Sequence, residues 1–371
     1  KNSGKRRRQC DDMDNAKRQI YELLKFAKRN KHWYQIARDP WEARKIIASG
    51  KMAVVLGVEV SNLMPPSHGH WRGQLDELYD MGVRSIELAH HGDTQFSAMA
   101  VEAPGLVTLI NHATKWEMKR EIKRGRRGTK FCADPKDRKR GIICNKYGLM
   151  VHKDGKKPGE AFVKALMKRR MLLPIDHVSR RARREIYELA KKNKGYPLFA
   201  SHTRPDAVME YYEQVGDFGS HEYMLSDSDL TFIRDTGGVV GLRAGESAMR
   251  EIPDCINKKL TCWGSTESLA QNLCGFAKHG LAVSMGSDFF GPVTMTAPRF
   301  AHANPLTHRW DRLPTACPRN VEKGFATPFG YPRKYKEYEP KTLTVHHRDY
   351  RVRGLAHSGL MPDVIKEMAD L

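Results

Sequence analysis

Four polar side chains that could ligate a metal or carry a proton fall at the ends of otherwise apolar, strand-length runs. They are Glu59, His177, His202 and Asp288. Imidazole nitrogens and carboxylate oxygens are the usual ligands of hydrolytic Zn²⁺, which needs several of them to converge while one position stays open for water. A single histidine at a strand end is more often a hydrogen-bonded structural residue. Because four such residues end four strands in the same way, the pattern favours a metal site.

The runs that carry these residues have the length and composition of buried strands. Dense apolar runs separated by helical stretches indicate parallel strands that are covered on both faces. In a β/α barrel the carboxyl ends of all strands meet on one face, so residues far apart in sequence can form one site there. We therefore expect an α/β fold of the (β/α)8, TIM-type barrel class. The predicted strands are 52–60, 83–90, 172–178, 197–202, 237–244 and 281–289.

Helix-period sequence separates the predicted strands. Residues 14–29 predict a surface helix, and Asp39 before Pro40 predicts the start of a short helix that stops near Gly50. We expect one domain over the whole chain, because a single barrel matches its length of 371 residues. The segments outside the barrel elements are a basic tail or cut end at 1–13, a basic insertion at 104–155 and a Pro-rich extended segment around the barrel at 292–350.

The charge of the chain is strongly positive. It has 64 Lys and Arg against 43 Asp and Glu, a net charge of +21. Such a charge attracts polyanions, so an anionic partner such as nucleic acid, a glycan or an acidic surface is one interpretation, and an ordinary solvated surface is the other. No apolar run reaches the roughly 18 residues of a membrane span, so no transmembrane segment is expected.

The seven cysteines include no CxxC pair, so structural zinc on thiolates is not expected. Cys132 with Cys144, and Cys255 with Cys262, are plausible disulfides if the compartment is oxidising. Cys274, on an amphipathic helical stretch, is expected in the core. The sequence alone does not determine the connectivity.

Several motifs resemble those of a known enzyme family. IDHVS at 175–179, followed by PLFASHT at 197–203, resembles the paired histidine motifs of membrane (renal-type) dipeptidases in the amidohydrolase superfamily. The similarity is closer still to their bacterial-type subgroup, in CDDM at 10–13, CNKYGL at 144–149, CWGST at 262–266 and RGLAHSGLMPD at 353–363. GVEVSN at 57–62 is similar to the strand with their metal-bridging glutamate, and GSDF at 286–289 to their late-strand aspartate. MGVRSIELAHHGDT at 81–94 is similar to the segment with a substrate-facing histidine. The similarity extends from about residue 10 to the C-terminus.

The resemblance implies a role for each of these residues. Glu59 would bridge two metal ions, and His177 and His202 would ligate one of them. His90 would contact the substrate or the developing oxyanion, and Asp288 would shuttle the proton of a metal-activated water. The implied activity is that of a dipeptidase-like hydrolase of amide or peptide bonds in small substrates, with one or two Zn²⁺ as cofactor. The family resemblance and the candidate disulfides also favour a secreted or extracytoplasmic location.

The sequence departs from the family at two places. The family's first strand carries a His-x-Asp or His-x-His ligand pair, but only the isolated His32 precedes Glu59, and we interpret His68-Gly-His70 as a loop feature. The arginine that binds the substrate carboxylate has no clear counterpart, because this segment contains His221 and Glu222 instead.

The predicted barrel thus lacks its first two strands in this chain together with their ligand pair. Three explanations stay open: the chain is a fragment of a longer polypeptide, a separate N-terminal piece or larger assembly completes it, or that part and the activity were lost. The alternative function is a catalytically inactive barrel, a structural or binding subunit with a basic surface for an anionic partner. The missing ligand pair and the charge fit this alternative, whereas the four strand-end residues together favour the enzyme.

Overall fold

The computed structural model contains short strands that alternate with helices. It describes residues 11–101, 129–131, 143–205, 222–245 and 266–288, together with residues 252, 255, 264, 364, 365 and 368. The predicted segment 292–350 and most of the predicted insertion 104–155 lie outside these residues. The chain divides into two compact units, residues 1–199 with 219–223 and residues 200–218 with 224–371. The expectation of one domain stays a prediction.

The helices and strands follow one another as in α/β proteins with parallel sheets. The helices are α1 (Asp12–Arg29), α2 (Pro40–Ala48), α3 (Trp71–Asp80), α4 (Pro158–Lys168), α5 (Arg180–Lys192), α6 (Asp227–Asp235) and α7 (Thr266–Ala277). The strands are β1 (Tyr34–Ile36), β2 (Met52–Val54), β3 (Leu56–Val58), β4 (Val83–Ile86), β5 (Thr129–Phe131), β6 (Ile143–Asn145), β7 (Leu173–Pro174), β8 (Leu198–Thr203), β9 (Val239–Arg243) and β10 (Ala282–Gly286).

α2 starts where the sequence predicts it, and α1 starts at Asp12, two residues before the predicted 14–29. Asp39 caps α2, since its carboxylate accepts hydrogen bonds from the backbone N–H groups of Trp41 and Glu42, each at 2.8 Å. Gly50 follows α2 with a φ of +75°, a left-handed backbone that glycine adopts without strain.

No helix in the described part of the chain combines the length and the apolar character that crossing a bilayer requires.

In the first unit the strands pair in parallel. β1 pairs with β2, β3 pairs with β4, and β7 pairs with the start of β8. A parallel bridge from Ser85 to Leu172 connects the β4 strand to the β7 strand. The predicted α/β class with parallel strands is therefore confirmed.

In the second unit the end of β8, β9 and β10 lie in that order, and β9 and β10 are parallel. The backbones approach closely here. A Cβ atom added to Gly241 or to Gly286 would lie 1.9 Å from the carbonyl oxygen of Ser201. Both positions therefore require glycine.

The structure adds elements that the sequence did not predict. β1 is a parallel strand of three residues, too short to show the apolar run on which strand prediction depends. β5 and β6 form an antiparallel pair within the segment predicted as an insertion. The predicted strand 52–60 is divided at Val55 into β2 and β3.

The disulfide prediction for Cys255 is wrong. Cys255 is bonded to Cys274 on α7, not to Cys262, and the two Cα atoms are 6.0 Å apart. Cys255 and Cys274 are 19 residues apart in sequence but adjacent in the fold, whereas the prediction paired Cys255 with the cysteine nearest to it in sequence. Cys274 is thus a bonded cysteine and not a free core residue. Cys144 is also disulfide-bonded, and its pairing with Cys132 stays a prediction.

Glu222 holds three segments of the first unit together: the chain at Val101, the end of β6 and the start of α5. Its carboxylate accepts hydrogen bonds from the backbone N–H groups of Val101 (2.7 Å), Asn145 (2.8 Å) and Arg180 (2.9 Å). The guanidinium of the buried Arg183 donates to the Glu222 carbonyl oxygen. Desolvation by burial raises the pKa of Glu222, and the three N–H groups and the charge of Arg183 oppose this rise. In the sequence, Glu222 was notable only because it lies in the segment where the resembled family has its substrate-binding arginine. In the structure it is an anchor of the fold.

We predict that Gly241→Ala destabilises the protein by about 3 kcal/mol or more, because the added methyl group would overlap the Ser201 carbonyl. Gly73→Ala in α3 is the matched control. A Cβ there meets no atom within 4 Å, and alanine favours a helix over glycine by roughly 0.5–1 kcal/mol. Urea unfolding of both variants measures the effect, and equal stabilities would contradict the close approach of these strands.

We predict that the free energy of unfolding of the native protein, relative to Glu222→Gln, falls as pH rises. A raised folded-state pKa means that the protonated carboxyl favours folding below the unfolded pKa, and that this contribution is lost as pH passes through the folded pKa. Because glutamine does not titrate, the difference between the two proteins isolates Glu222. It should change by about 1.4 kcal/mol for each unit by which the pKa is raised. Urea unfolding at a series of pH values tests this, and a difference that grows with pH would refute it.

Candidate metal site

A carboxylate and two imidazoles converge at the strand ends of the first unit. Glu59 directly follows β3, and its Oε1 atom lies 3.1 Å from Nε2 of His177 and 3.5 Å from Nε2 of His90. The side chain of His177 is 9% exposed and that of Glu59 is 34% exposed. Two ring nitrogens thus point to the same carboxylate oxygen from inside the protein, while the carboxylate remains accessible to solvent.

The backbone holds His177 in an unusual conformation. Its φ is +55°, in the left-handed region. The N–H of Val178 donates to the carbonyl of Asp176 at 2.6 Å, which closes a three-residue turn with His177 at its centre. The carbonyl of His177 in turn accepts a hydrogen bond from Ala100 N–H at 2.6 Å. Backbone strain of this kind is often found at functional sites, because the surrounding structure must hold it in place.

His90 is held by neighbours on both sides. Its Nδ1 atom lies 3.4 Å from the hydroxyl oxygen of Ser61. The ring of His91 packs against it with a centroid distance of 3.6 Å, and the ring of His177 meets it edge to face at 4.7 Å. These contacts fix the orientation in which His90 faces Glu59.

A cavity of about 420 Å³ opens beside Glu59 and His90. One face of α1 forms its opposite wall, with the polar residues Asp12, Asn15 and Gln19. Among its described lining residues the carboxylates of Asp12 and Glu59 are present and no Lys or Arg is. The cavity is therefore acidic, although the chain has a net charge of +21.

His202 and Asp288 belong to the second unit. His202 lies in β8, and its Nδ1 atom is 2.5 Å from the hydroxyl oxygen of Ser201. Asp288 follows β10 with a φ of +50°, and its Oδ2 atom lies 2.5 Å from the guanidinium of Arg243 at the end of β9. Their predicted convergence with Glu59 stays a prediction.

His68 and His70 have local roles in the fold. His68 Nε2 is 3.0 Å from a carboxylate oxygen of Asp11, the residue that caps α1. His70 caps α3, where its Nδ1 atom accepts a hydrogen bond from the N–H of Arg72 at 3.3 Å.

Sequence reasoning missed three residues of the two strand-end regions: Ser61, His91 and Arg243. The His90-His91 doublet after a strand was a usable signal for His91. Arg243 also ends an apolar run, but an arginine is not an expected metal ligand or proton carrier and was therefore not among the candidates at strand ends. Ser61 had no signal, since a serine in a loop is common.

The donor set of the first unit fits a zinc ion. Zn²⁺ takes imidazole nitrogen and carboxylate oxygen ligands, and Glu59 and His177 present one of each. The close approach of Nε2 and Oε1 is also what a simple hydrogen bond would give. The acidic, open cavity beside the pair is the further feature that suits a bound cation with room for a substrate.

Comparison with known proteins gives a result at the level of the fold. No protein-family model and no curated protein matches the sequence. The probable dipeptidase PvdM from Pseudomonas aeruginosa is similar in structure, with a TM-score of 0.50 and 16% identity over 76% of this chain and 70% of that one.

Two further solved structures have lower scores. The dipeptidase AC, a metallopeptidase, has a TM-score of 0.48 and 19% identity over 73% of this chain and 62% of its own. A metallopeptidase from Rhodobacter sphaeroides, bound to a phosphinate mimic of L-Ala-D-Ala, has a TM-score of 0.47 and 18% identity over 72% of this chain and 59% of its own. The chain spans about six tenths of the length of these two. From its similarity to PvdM, this chain shares the α/β fold of a probable dipeptidase, and the resemblance to dipeptidases is confirmed at the level of the fold.

Proposed function

We propose that this chain is a metal-dependent hydrolase of amide or peptide bonds in small, dipeptide-like substrates. The observation that carries the proposal is the meeting of Glu59 with His90 and His177 beside an acidic cavity. The fold shared with a probable dipeptidase supports it. We further propose that the parallel strands belong to a β/α barrel.

Glu59 and His177 would hold a Zn²⁺ ion, with His202 as a further ligand. In such a site the ion, when bound, lowers the pKa of a water molecule and polarises the carbonyl group that is attacked. The contact of His202 Nδ1 with the Ser201 hydroxyl suits this assignment. If Nδ1 donates to that oxygen, Nε2 keeps the lone pair that a ligand needs.

His90 would stabilise the negative charge that develops on the substrate carbonyl oxygen. For this its Nε2 atom must carry a proton, and a hydroxyl that donates to Nδ1 enforces that tautomer. Ser61, at 3.4 Å from Nδ1, is placed to do so. A hydrogen-bond donor aimed at a developing oxyanion is among the largest single contributions to catalysis.

Asp288 would accept the proton of the attacking water and pass it to the leaving amine. Arg243 would position it, because the ion pair at 2.5 Å fixes the direction of the carboxylate. The left-handed backbone of Asp288 supports a functional role, as it does for His177.

The inactive alternative is less well supported by these contacts. A structural subunit has no need for two imidazoles aimed at one partly exposed carboxylate, or for a strained turn that holds one of them. We also propose an oxidising, extracytoplasmic compartment, which the bond between Cys255 and Cys274 supports.

We predict that the purified protein binds zinc and that His177→Ala lowers its zinc affinity at least about tenfold, the effect of losing one ligand or its support. His32→Ala is the control, since His32 is an exposed histidine of the same unit. Elemental analysis after dialysis against a zinc buffer measures the metal content, and turnover of a panel of dipeptides measures activity. Zinc content that is zero in the native protein, or equal in the two variants, would refute the metal site.

We predict that Arg243→Gln lowers kcat about 10- to 100-fold for dipeptide hydrolysis, because an unheld Asp288 transfers protons less effectively. KM and zinc content should change little. Arg234→Gln is the matched control, since Arg234 also pairs with an aspartate, Asp235, at 3.1 Å in the same unit. Equal kcat values for the two variants would remove the positioning role, and a loss of zinc in Arg243→Gln would show a structural effect instead.

A further inference from the structure

A second cavity in the first unit has the opposite character to the one beside Glu59. It has a volume of about 450 Å³ and lies between the start of α3 and the start of α4. The two cavities share no described lining residue. A ligand of this cavity would therefore contact none of the described residues that line the cavity beside Glu59.

Basic side chains surround the second cavity. Arg72, Lys156 and Lys157 line it together with His70 and His152, and none of its described lining residues is acidic. All five are exposed. The cavity thus presents a concentration of positive charge that suits an anion.

The lysine Lys157 keeps charge available for a ligand. Its ammonium lies 3.7 Å from Glu160, but that carboxylate is already bonded to Lys164 at 2.6 Å. Lys156 pairs with Asp154 at 2.8 Å, and this contact raises the pKa of Lys156, which keeps it protonated. Neither Asp154 nor Glu160 is among the described residues that line the cavity.

The backbone adds to this attraction. α4, of 11 residues, begins at the cavity, and its cap residue Lys157 makes no side-chain capping hydrogen bond. The positive end of the helix dipole therefore faces the same region as the basic side chains.

The walls are apolar. Trp71 and Pro158 are buried and Pro66 and Ala161 complete this part of the lining. The volume of about 450 Å³ is in the range of small-molecule sites, far more than a bare inorganic ion fills. The guanidinium of Arg72 lies over the Trp71 ring at 4.2 Å, which holds that charge at the mouth of the cavity.

We propose that this cavity is a binding site for a small organic anion, a phosphate or carboxylate group attached to an apolar body. The anionic group is held by Arg72 and Lys157, and the apolar body fills the space against Trp71 and Pro158. The proposal does not depend on the hydrolase function.

Isothermal titration of the full chain with phenyl phosphate and with benzoate tests this site. At least one of the two should bind saturably with one site per chain, and more tightly than inorganic phosphate or phenol, because only the combined molecule uses both parts of the cavity. The tighter of the two identifies the anionic group. Arg72→Gln and Lys157→Gln should each raise Kd roughly tenfold, the usual effect of losing a hydrogen bond to a charged group.

The chain offers a matched control for each variant. Arg44 also lies over a tryptophan, Trp41, at 5.0 Å. Lys191 forms an ion pair with Glu188 at 3.8 Å with the same three-residue spacing as Lys157 and Glu160. Arg44→Gln and Lys191→Gln should leave Kd unchanged. The proposal is overturned if neither aryl anion binds, if inorganic phosphate binds as tightly as the aryl anions, or if the control variants weaken binding as much as the cavity variants.

Discussion

The candidate site depends on one property of parallel strands: their carboxyl ends lie at the same edge of the sheet. Glu59 and His177 are separated by more than one hundred residues of sequence, yet Nε2 and Oε1 meet at 3.1 Å because β3, β4 and β7 run in the same direction. The short strands, the helices between them and the turn at His177 together position these few side chains.

Much of this arrangement could be predicted from sequence, and the reasons are specific. Strand-length apolar runs ending in a polar residue located Glu59 and His177, and the cap at Asp39 located α2. β1 could not be predicted, because its three residues pair with β2 only through the folded backbone. The Cys255–Cys274 bond was missed for a related reason, because the number of residues between two cysteines does not show whether the fold brings them together. The role of Glu222 was also hidden, because its partners are backbone N–H groups of three segments that are far from it in sequence.

The distribution of charge is more informative than its sum. The net charge of +21 suggested a polyanion as partner for the surface as a whole. That interpretation stays a prediction, and within the first unit one cavity, beside Glu59, is acidic while another is lined by Arg72, Lys156 and Lys157. Two cavities of similar size within the same unit thus have linings of opposite charge.

The turn at His177 limits how this site can be redesigned. With a φ of +55°, the position accepts few residue types without cost, and β-branched or bulky ones least of all. Exchanging this histidine, a proposed metal ligand, for a donor other than Asp or Asn would therefore cost folding stability. Glu59 directly follows a regular strand and is not among the residues with positive φ. An engineer who wishes to alter metal selectivity should begin there.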